Sequence, residues 1–208
     1  MTSVDTSAEN LADVYLVFAR AFDFPRPEFW DRVEGRSFDE VFGHAPAAPD
    51  RARPLPAVVP ARSQEQREDE FLGLFELGGT PLYEGLQRGE KGRDGLLEEL
   101  LRFYEYFDLR LREQELEYPD HLVTELEFLT YLASREAAAG EAGHSPLPFR
   151  RAQRDFLARH LCVWIPSLAG RLRASAADST YAALANGLEK LVAEQRARLD
   201  LDLEGGET

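Results

Sequence analysis

Apolar residues recur at intervals of three and four along most of the chain, which is the spacing of one face of an α-helix. Residues 7–22 show this clearly, with an apolar stripe of Leu11, Val14, Tyr15, Phe18 and Phe22. No segment alternates apolar and polar positions as a half-buried strand does, and β-branched residues are few. The pattern therefore predicts an all-α fold in the form of a single helical bundle.

Capping residues and helix breakers divide this pattern into separate helices. Ser63 and Gln66 have the spacing of a capping box, and Pro27 suits a first helical turn. Helices are predicted at about 7–22, from Pro27, and at about 37–43, 63–78, 94–107, 119–138, 149–172 and 178–199. Residues 79–95 are expected to form a loop, and Pro166 to kink or interrupt the helix that contains it.

Two of the predicted helices carry well-defined apolar faces. In the helix at about 94–107, the core-facing residues are expected to be Leu97, Leu100, Leu101, Tyr104 and Phe107. In the helix at about 119–138, they are expected to be Leu122, Leu126, Leu129 and Ala133. Pro119 opens this second helix in the prediction, because proline suits the first helical turn.

One domain is predicted over residues 1–203, since a chain of 208 residues can bury a sizeable core. Residues 44–62, rich in proline and arginine, contain five prolines and are expected to form an exposed connection. The acidic residues 204–208 are expected to form a disordered tail. An exposed connection also permits helix exchange between protomers, so a monomer and a domain-swapped dimer are both compatible with the sequence.

Composition narrows the range of partners. The chain has 38 acidic and 24 basic residues and a formal charge of −14. Nucleic-acid binding depends on clustered Lys and Arg, so nucleic acid is not an expected partner. An acidic surface suits a basic partner, although excess carboxylate also serves solubility alone.

The location of the protein is predicted from features that the sequence lacks. The N-terminal residues carry acidic side chains and no uninterrupted apolar run, so no secretory signal is evident. No segment approaches the roughly 20 apolar residues that span a membrane. The single cysteine, Cys162, lies in an apolar stretch and is expected to be a buried thiol. These features predict a soluble, cytoplasmic protein.

The most distinctive segment, residues 117–128, places polar side chains at the start of a predicted helix. Asp120 lies where free backbone amides stabilise an acid, and His121 and Glu125 share one helical face. One interpretation is a capped helix whose His121 and Glu125 pair at the surface. Another is a metal site that His160 or Asp120 completes. Motifs of serine hydrolases, nucleotide-binding proteins and zinc proteases are absent.

A second segment concentrates apolar groups beside the Gly78-Gly79 turn. Its members are Phe71, Leu74, Pro81, Leu82 and Tyr83. These residues either line a groove or fill the core beneath a long loop. A groove rimmed by Asp and Glu would suit a peptide with a basic start and a hydrophobic middle.

Three blocks of the sequence resemble one known family. Residues 118–129, read as YPDHL and then ELEFL, resemble the PDH(I/L)xxELEF motif of the cytoplasmic redox-enzyme maturation chaperones typified by TorD, DmsD and NarJ. Upstream, residues 71–85 are similar to the LF and hairpin region of that family, through FLGLF and PLYEG. Downstream, residues 156–166 are similar to its FxxxHLxxWxP segment. The blocks occur in the order of the family and extend over about half of the chain.

The resemblance implies an all-helical chaperone that is not an enzyme and has no cofactor of its own. Such a chaperone binds the twin-arginine leader and the apo catalytic subunit of a molybdopterin oxidoreductase, assists cofactor insertion and delays export until the subunit has folded. The residues that the resemblance implicates in binding are Phe71, Leu74, Phe75, Pro81, Tyr83, Tyr118, Pro119, Asp120, His121 and Glu125. Asp120 and His121 are expected at the polar rim of an apolar groove, with Asp120 paired to leader arginines.

The choice of client is less well defined by the sequence. Tyr83 stands where some relatives have Trp, and residues 44–62 are not matched to any of the three blocks. Residues 99–109, ELLRFYEYFDL, resemble the branch that serves dimethylsulfide, ethylbenzene, selenate or chlorate oxidoreductases, the type II DMSO-reductase group. Two alternatives remain. One is a small helical metalloprotein or enzyme that uses His121, Glu125 and His160, and the other is a nucleotide-binding variant of the chaperone, for which no phosphate loop is present.

Overall fold

The structure is a computed structural model that describes residues 8–42, 58–110 and 118–205. Within these ranges every regular element is helical, and extended segments pair only at two isolated bridges. The helices are α1 (Ala8–Phe22), α2 (Pro27–Val33), α3 (Phe38–Phe42), α4 (Gln64–Phe71), α5 (Glu84–Arg88), α6 (Leu96–Tyr106), α7 (Leu122–Glu141), α8 (Leu147–Arg159), α9 (Leu161–Ser175) and α10 (Thr180–Gly205). A π-helical turn (Leu72–Glu76) extends α4, and a 3₁₀ turn (Glu90–Gly92) follows α5. The all-α prediction is confirmed.

Helices α1 and α7 pack along each other at the centre of the fold. The predicted stripe of α1 is buried except at Val14, which is partly buried, and the predicted face of α7 is buried throughout. Helix α7 also packs against α8, and α10 packs against both α8 and α9. Removing these apolar faces from water is the main favourable contribution to folding, so this layer of helices forms the core.

Residues 79–95 are not the loop that was predicted, because they contain α5 and a 3₁₀ turn. The Arg93 side chain donates from Nε to the Gly85 carbonyl at 2.9 Å and ties the two together. A helix of five residues is too short for three- and four-residue spacing to become visible in a sequence.

Helix α6 buries only part of the predicted face. Leu96, Leu100 and Tyr104 are buried, whereas Leu97 and Leu101 are 45% and 37% exposed. Leucines occupy two neighbouring faces of this helix, so spacing alone cannot decide which face is buried.

The helix predicted at 149–172 is two helices, and their boundary is not at Pro166. Helix α8 ends at Arg159, α9 begins at Leu161, and Pro166 lies inside α9. His160 separates the helices with φ −120° and ψ −93°, outside the helical region. Its imidazole is completely buried, so the break coincides with a polar side chain held inside the protein.

Helix α7 begins later than predicted. Pro119 and Asp120 form a turn, and Leu122 is the first helical residue. His121 is the N-cap, and its Nδ1 accepts a hydrogen bond from the Val123 N–H at 3.3 Å. This bond satisfies one of the free amides at the helix start, a role that Ser, Thr, Asp and Asn usually fill.

The two regions predicted to be irregular are partly structured. Residues 44–57 lie outside the described ranges, but Val59, near the end of the predicted connection, is buried. Its N–H donates to the Arg36 carbonyl at 2.9 Å, so Val59 packs onto the chain that follows α2, whereas Val58 beside it is 49% exposed. At the other end, α10 continues to Gly205, and residues 206–208 lie outside the described ranges.

The predicted capping box and the predicted burial of both tryptophans are found in the structure. The capping box of Ser63 and Gln66 is present in both directions. Trp30 and Trp164 are both about 1% exposed and belong to the core, as predicted. Cys162 is half-buried, and burial raises the pKa of its thiol to about 11. In the part of the chain that the structure describes, no helix is both long and apolar enough to span a membrane.

Candidate functional site

A short antiparallel pairing joins the two segments that the motifs single out. Tyr83 and His121 form its bridge pair. The residue after each of them donates its N–H to the carbonyl of the residue before the other, and both distances are 2.8 Å. These hydrogen bonds hold residues 82–84 and 120–122 side by side, although almost forty positions separate them in the sequence. We call them the paired segments.

Side chains alternate across this pairing, as they do along any extended segment. Tyr83 and His121 line an open cleft together with Tyr118, and we call these three residues the cleft face. Glu84 and Asp120 point the other way and are only 0% and 9% exposed. The pairing thus separates adjacent motif residues into a cleft face and a buried inner face.

The cleft has a volume of about 1070 Å³. It lies between the end of α1 and α2 on one side, and the paired segments with the start of α7 on the other. Its lining residues are Arg20, Asp23, Arg26, Glu28, Phe29, Arg32, Val33, Arg36, Tyr83, Tyr118, His121, Val123, Thr124 and Glu127. The Tyr83 ring centroid lies 5.6 Å from that of Tyr118 and 4.8 Å from that of His121, so three rings form one wall.

The cleft has mixed charge and not the acidic rim that was predicted. Four arginines line it together with three carboxylates. Arg20 lies 3.7 Å from the Glu127 carboxylate, and Arg26 lies 3.6 Å from that of Asp23. These distances exceed those of N–H···O hydrogen bonds, and both arginines are exposed, so the two ion pairs are loose.

The imidazole of His121 has one defined tautomer. Its Nδ1 accepts the Val123 N–H, and burial lowers the pKa of the ring to about 4, so the ring is neutral at pH 7. A neutral imidazole carries one proton, which must therefore be on Nε2. His121 consequently offers the cleft a hydrogen-bond donor and not a positive charge.

Asp120 does not form a polar rim, and that prediction is wrong. Its Oδ2 accepts the Gly85 N–H at 3.1 Å, in the first turn of α5. Burial raises the pKa of Asp120, while the Gly85 hydrogen bond acts in the opposite direction. A Cβ atom on Gly85 would lie 3.0 Å from this Oδ2, so a larger residue would push against the carboxylate. Backbone amides do stabilise Asp120, but they belong to α5 and not to α7.

Glu84 is the centre of a buried polar cluster behind the cleft face. Its Oε2 lies 2.9 Å from Nδ1 of His160, and its Oε1 accepts a hydrogen bond from Arg88 at 2.7 Å. Both Glu84 and His160 are completely buried. The pairing links α5 to the residue that separates α8 from α9. We call Glu84, Asp120, Glu125 and His160 the inner network.

Glu125 extends the inner network into α7. Its Oε2 accepts the indole N–H of Trp164 at 3.0 Å. Burial, and then the Glu84 carboxylate, raise the pKa of Glu125 well above its ordinary value. The protonated carboxyl is therefore favoured. The interpretation of His121 and Glu125 as a surface pair is wrong, because Glu125 is buried.

The upstream aromatic residues fill the core and do not line the cleft. Phe71 and Phe75 are each 6% exposed, and their rings lie 6.0 Å and 4.9 Å from that of Tyr181. Leu74 is partly buried against the same core. Pro81 is half-buried, and its carbonyl accepts the Gln87 side-chain amide. The core-filling interpretation is therefore the right one for the two phenylalanines.

His121, Glu125 and His160 are not brought together as ligands of one ion. His121 belongs to the cleft face, whereas Glu125 and His160 belong to the inner network. Over residues 8–42, 58–110 and 118–205, no three His, Cys, Asp or Glu side chains are grouped to hold a metal ion. The alternative of a metalloprotein that uses these three residues has no site among them.

Sequence reasoning missed the wall of the cleft that α1 and α2 provide. We call Arg20, Arg26, Arg32 and Arg36 the arginine wall. The available signal was four arginines spaced four to six residues apart in a chain with a formal charge of −14. It was overlooked because acidic residues lie between them, so no basic run stands out.

The described part of the chain is thus an all-helical protein with one open cleft beside the two motif segments. The chain belongs to the nitrate reductase delta subunit family, whose family model matches residues 45–170. This match confirms the family expected from the three sequence blocks. The matched range contains both paired segments, whereas residues 20–36, which carry the arginine wall, precede it.

Similar proteins extend over nearly the whole chain. It is 44% identical over 203 residues to the selenate reductase assembly chaperone protein of Thauera selenatis, with 96% of this chain and 94% of that protein covered. It is 42% identical, with the same coverage, to the chlorate reductase assembly chaperone protein of Ideonella dechloratans. The dimethyl sulfide dehydrogenase assembly chaperone protein of Rhodovulum sulfidophilum is 35% identical over 166 residues, which cover 74% of this chain and 66% of that protein.

Proposed function

We propose that the chain is an assembly chaperone for the catalytic subunit of a molybdenum-containing oxidoreductase. It acts in the cytoplasm, where it binds the twin-arginine leader and the apo subunit, assists insertion of the molybdopterin cofactor and delays export until the subunit has folded. The similarity to assembly chaperones of selenate and chlorate reductases over 96% of the chain supports this role. The protein works by binding and not by catalysis.

The observation that carries the proposal is the meeting of both motif segments at one cleft. Tyr83 comes from the upstream segment, Tyr118 and His121 come from the downstream segment, and all three line the cleft of about 1070 Å³. A cleft of this size accommodates a short stretch of polypeptide. Exposed aromatic groups such as Tyr118, which is 56% exposed, provide the anchors that most often dominate the free energy of peptide binding.

The leader and the cleft have complementary chemistry in this proposal. The hydrophobic part of the leader packs on the rings of Tyr83 and Tyr118. Its arginines bind the cleft carboxylates of Asp23, Glu28 and Glu127. Arginine forms charge-assisted, two-pronged hydrogen bonds with carboxylates, and the present partners of Asp23 and Glu127 are loosely held. A leader arginine can therefore replace them at little cost.

The remaining predicted site residues support the cleft from behind. Asp120 and Glu125 fasten the paired segments from the inner network, while Phe71 and Phe75 hold the core beneath them. In this proposal, these residues position Tyr83 and His121 and do not touch the client. Leu74, Pro81 and Pro119 are assigned the same supporting role.

A peptide-binding measurement tests the proposal. The probe is a synthetic peptide with two adjacent arginines before a stretch of leucine and alanine, and its control carries glutamines in place of the arginines. We expect isothermal titration calorimetry to show preference for the arginine peptide. We also expect Tyr118→Ala to weaken binding about tenfold, the loss typical of an interface anchor. Tyr106→Ala is the matched control, since Tyr106 is 78% exposed but lies on α6, away from the cleft.

A second measurement follows the client itself. The oxidoreductase is produced with the wild-type chain, with the Tyr118→Ala variant, or with neither, and the molybdenum content of its catalytic subunit is determined. We expect molybdenum to fall without the chain and to recover only partly with Tyr118→Ala. Equal molybdenum content in all three samples would overturn the chaperone role, and equal affinity for both peptides would overturn the leader site.

A further inference from the structure

The arginine wall gives the cleft lining a small positive charge, opposite in sign to that of the whole protein. The chain has a formal charge of −14, but four arginines and only three carboxylates line the cleft. A basic leader satisfies the carboxylates and leaves the arginines without a partner in the complex. The cleft arginines therefore remain available to bind an acidic group when a basic peptide is present.

Arg32 and Arg36 are the most available members of the wall. Glu34 lies between them in the sequence, but its carboxylate accepts a hydrogen bond from Arg67 at 2.9 Å. Arg67 is itself buried and stacks 4.8 Å from the Trp30 ring centroid, so this partner is firmly held. Among the carboxylates whose side chains the structure describes, none forms an ion pair with Arg32 or Arg36, and both arginines are exposed.

Arg20 and Arg26 can join them at little cost. Their ion pairs with Glu127 and Asp23 are 3.7 Å and 3.6 Å long and largely solvent-exposed. Exposed pairs of this kind contribute about 0–1 kcal/mol. Breaking them to bind an external carboxylate therefore loses little stability.

The opposite wall also presents hydrogen-bond donors. The proton of the neutral His121 ring is on Nε2, because Nδ1 accepts the Val123 N–H. Burial raises the pKa of the Tyr83 hydroxyl, which keeps it protonated and able to donate. Guanidinium, imidazole and phenol groups together favour an occupant rich in acceptor oxygens.

We propose that the arginine wall binds an acidic peptide segment of the client, with Arg32 and Arg36 as its principal contacts. The proposal rests on the proposed function, namely that the client polypeptide occupies this cleft, and it adds a second recognition element to the leader. The cleft carboxylates of Asp23 and Glu28 lie among the arginines and repel a compact, highly charged phosphate. Single carboxylates spaced along an extended peptide fit between them.

The test uses the intact chain and two acetylated, amidated peptides, made of repeats of Glu-Leu-Gly or of Gln-Leu-Gly. We expect fluorescence anisotropy to show binding of the Glu peptide about tenfold tighter than that of the Gln peptide at low salt. The double variant Arg32→Gln, Arg36→Gln is expected to lose this preference. The control Arg110→Gln, Arg196→Gln changes the net charge equally at exposed positions away from the cleft and is expected to keep it.

Three different results of these binding experiments would each contradict one claim. Equal affinity of the wild-type chain for the Glu and Gln peptides overturns the acidic-segment site, while binding of the arginine-containing leader peptide leaves the proposed function intact. Failure of the leader peptide to bind counts against the proposed function itself. If pyrophosphate binds more tightly than the Glu peptide, and does so only when Arg32 and Arg36 are present, the wall is a site for a small phosphate compound and not for a peptide.

Discussion

The cleft face and the inner network lie one residue apart along the chain, yet they have opposite properties. Tyr83 is half-buried beside an open cleft, whereas Glu84, its neighbour, is fully buried and bonded to His160. The same change occurs between His121 and Asp120. Because extended segments alternate their side chains, one short pairing can present recognition groups outward and fastening groups inward.

The inner network concentrates acidic groups in a place where charge is costly. Three carboxyl groups, those of Glu84, Asp120 and Glu125, lie near one another with little or no exposure. Arg88 and His160 contact the two oxygens of Glu84 at 2.7 Å and 2.9 Å, and burial favours the protonated form of Glu125. A buried charge is tolerated when it is paired and hydrogen-bonded, so these contacts depend on one another. The cleft face has no comparable interdependence.

The largest predicted effect is the loss of stability on removing the centre of the inner network. Glu84→Ala leaves His160 without its buried partner, and breaking such a pair costs about 3–5 kcal/mol of unfolding free energy. Tyr83→Ala removes only a half-buried ring and is expected to cost about 1 kcal/mol. Urea denaturation followed by circular dichroism measures both values.

Binding should show the reverse order in the same two variants. At a temperature where both are folded, Tyr83→Ala is expected to weaken binding of the arginine peptide more than Glu84→Ala does. If Glu84→Ala is as stable as the wild type, the network does not fasten the paired segments, and the division between the two faces loses its physical basis.

The second prediction concerns the aromatic residues that the sequence assigned to the binding site. Phe75→Leu leaves a void in the cluster around Tyr181 and is expected to cost about 1–2 kcal/mol of unfolding free energy. Since Phe75 does not line the cleft, peptide affinity of the folded variant should remain within about twofold of the wild type. A larger loss of affinity without loss of stability would return Phe75 to the binding surface.

The third prediction is a change in the pH dependence of stability. A raised pKa means that Glu125 holds a proton in the folded state that it releases on unfolding. Stability is therefore greatest below the unfolded pKa and falls as pH rises toward the folded pKa. Glu125→Gln keeps an acceptor for Trp164 and cannot ionise. We expect the variant to gain on the order of 1 kcal/mol relative to the wild type between pH 5 and pH 8.

Urea denaturation at each pH gives the free energy of unfolding of the wild type and of Glu125→Gln, and the difference between the two values is followed as pH changes. Asp120, whose pKa is also raised by burial, titrates in both proteins and so cancels in the difference. A constant difference between pH 5 and pH 8 would show that Glu125 has the same charge in the folded and unfolded states, and the buried-acid description would then be wrong.

The sequence predicts those parts of the fold that depend on periodicity over many residues. The apolar faces of α1 and α7 are long enough for spacing to identify them, and both are buried as predicted. Helix α5 was missed because five residues cannot establish a period. The break at His160 was missed because the contact that accompanies it is with Glu84, which is distant in the sequence.

The candidate site was only partly predictable for the same physical reason. Motif blocks indicated that Tyr83 and His121 matter, but not that they would be bridge partners facing one cleft while Asp120 turned inward. That distinction depends on the pairing register, since a shift of one residue exchanges the two faces. The arginine wall depends on how α1 and α2 pack, and local spacing carries no information about that.

The smallest predicted effect concerns His121, which belongs to the cleft face and whose side chain also caps α7. His121→Ala removes the acceptor for the Val123 N–H and is expected to cost about 0.5–1 kcal/mol of unfolding free energy at pH 7. His121→Asn restores a cap and should recover most of that stability. Urea denaturation of the two variants measures the capping contribution alone.

Acid pH separates the two roles of this side chain further. Its pKa, lowered to about 4, lies below the ordinary histidine value, so the unfolded chain takes up a proton before the folded chain does. Wild-type stability should therefore fall as pH decreases from about 6.5 to about 4, and His121→Asn should lack that part of the decrease.

If His121→Asn recovers stability but still binds the acidic peptide weakly, the Nε2–H donor serves recognition. If it binds normally, His121 serves only to start α7, and recognition at the cleft face rests on the two tyrosines.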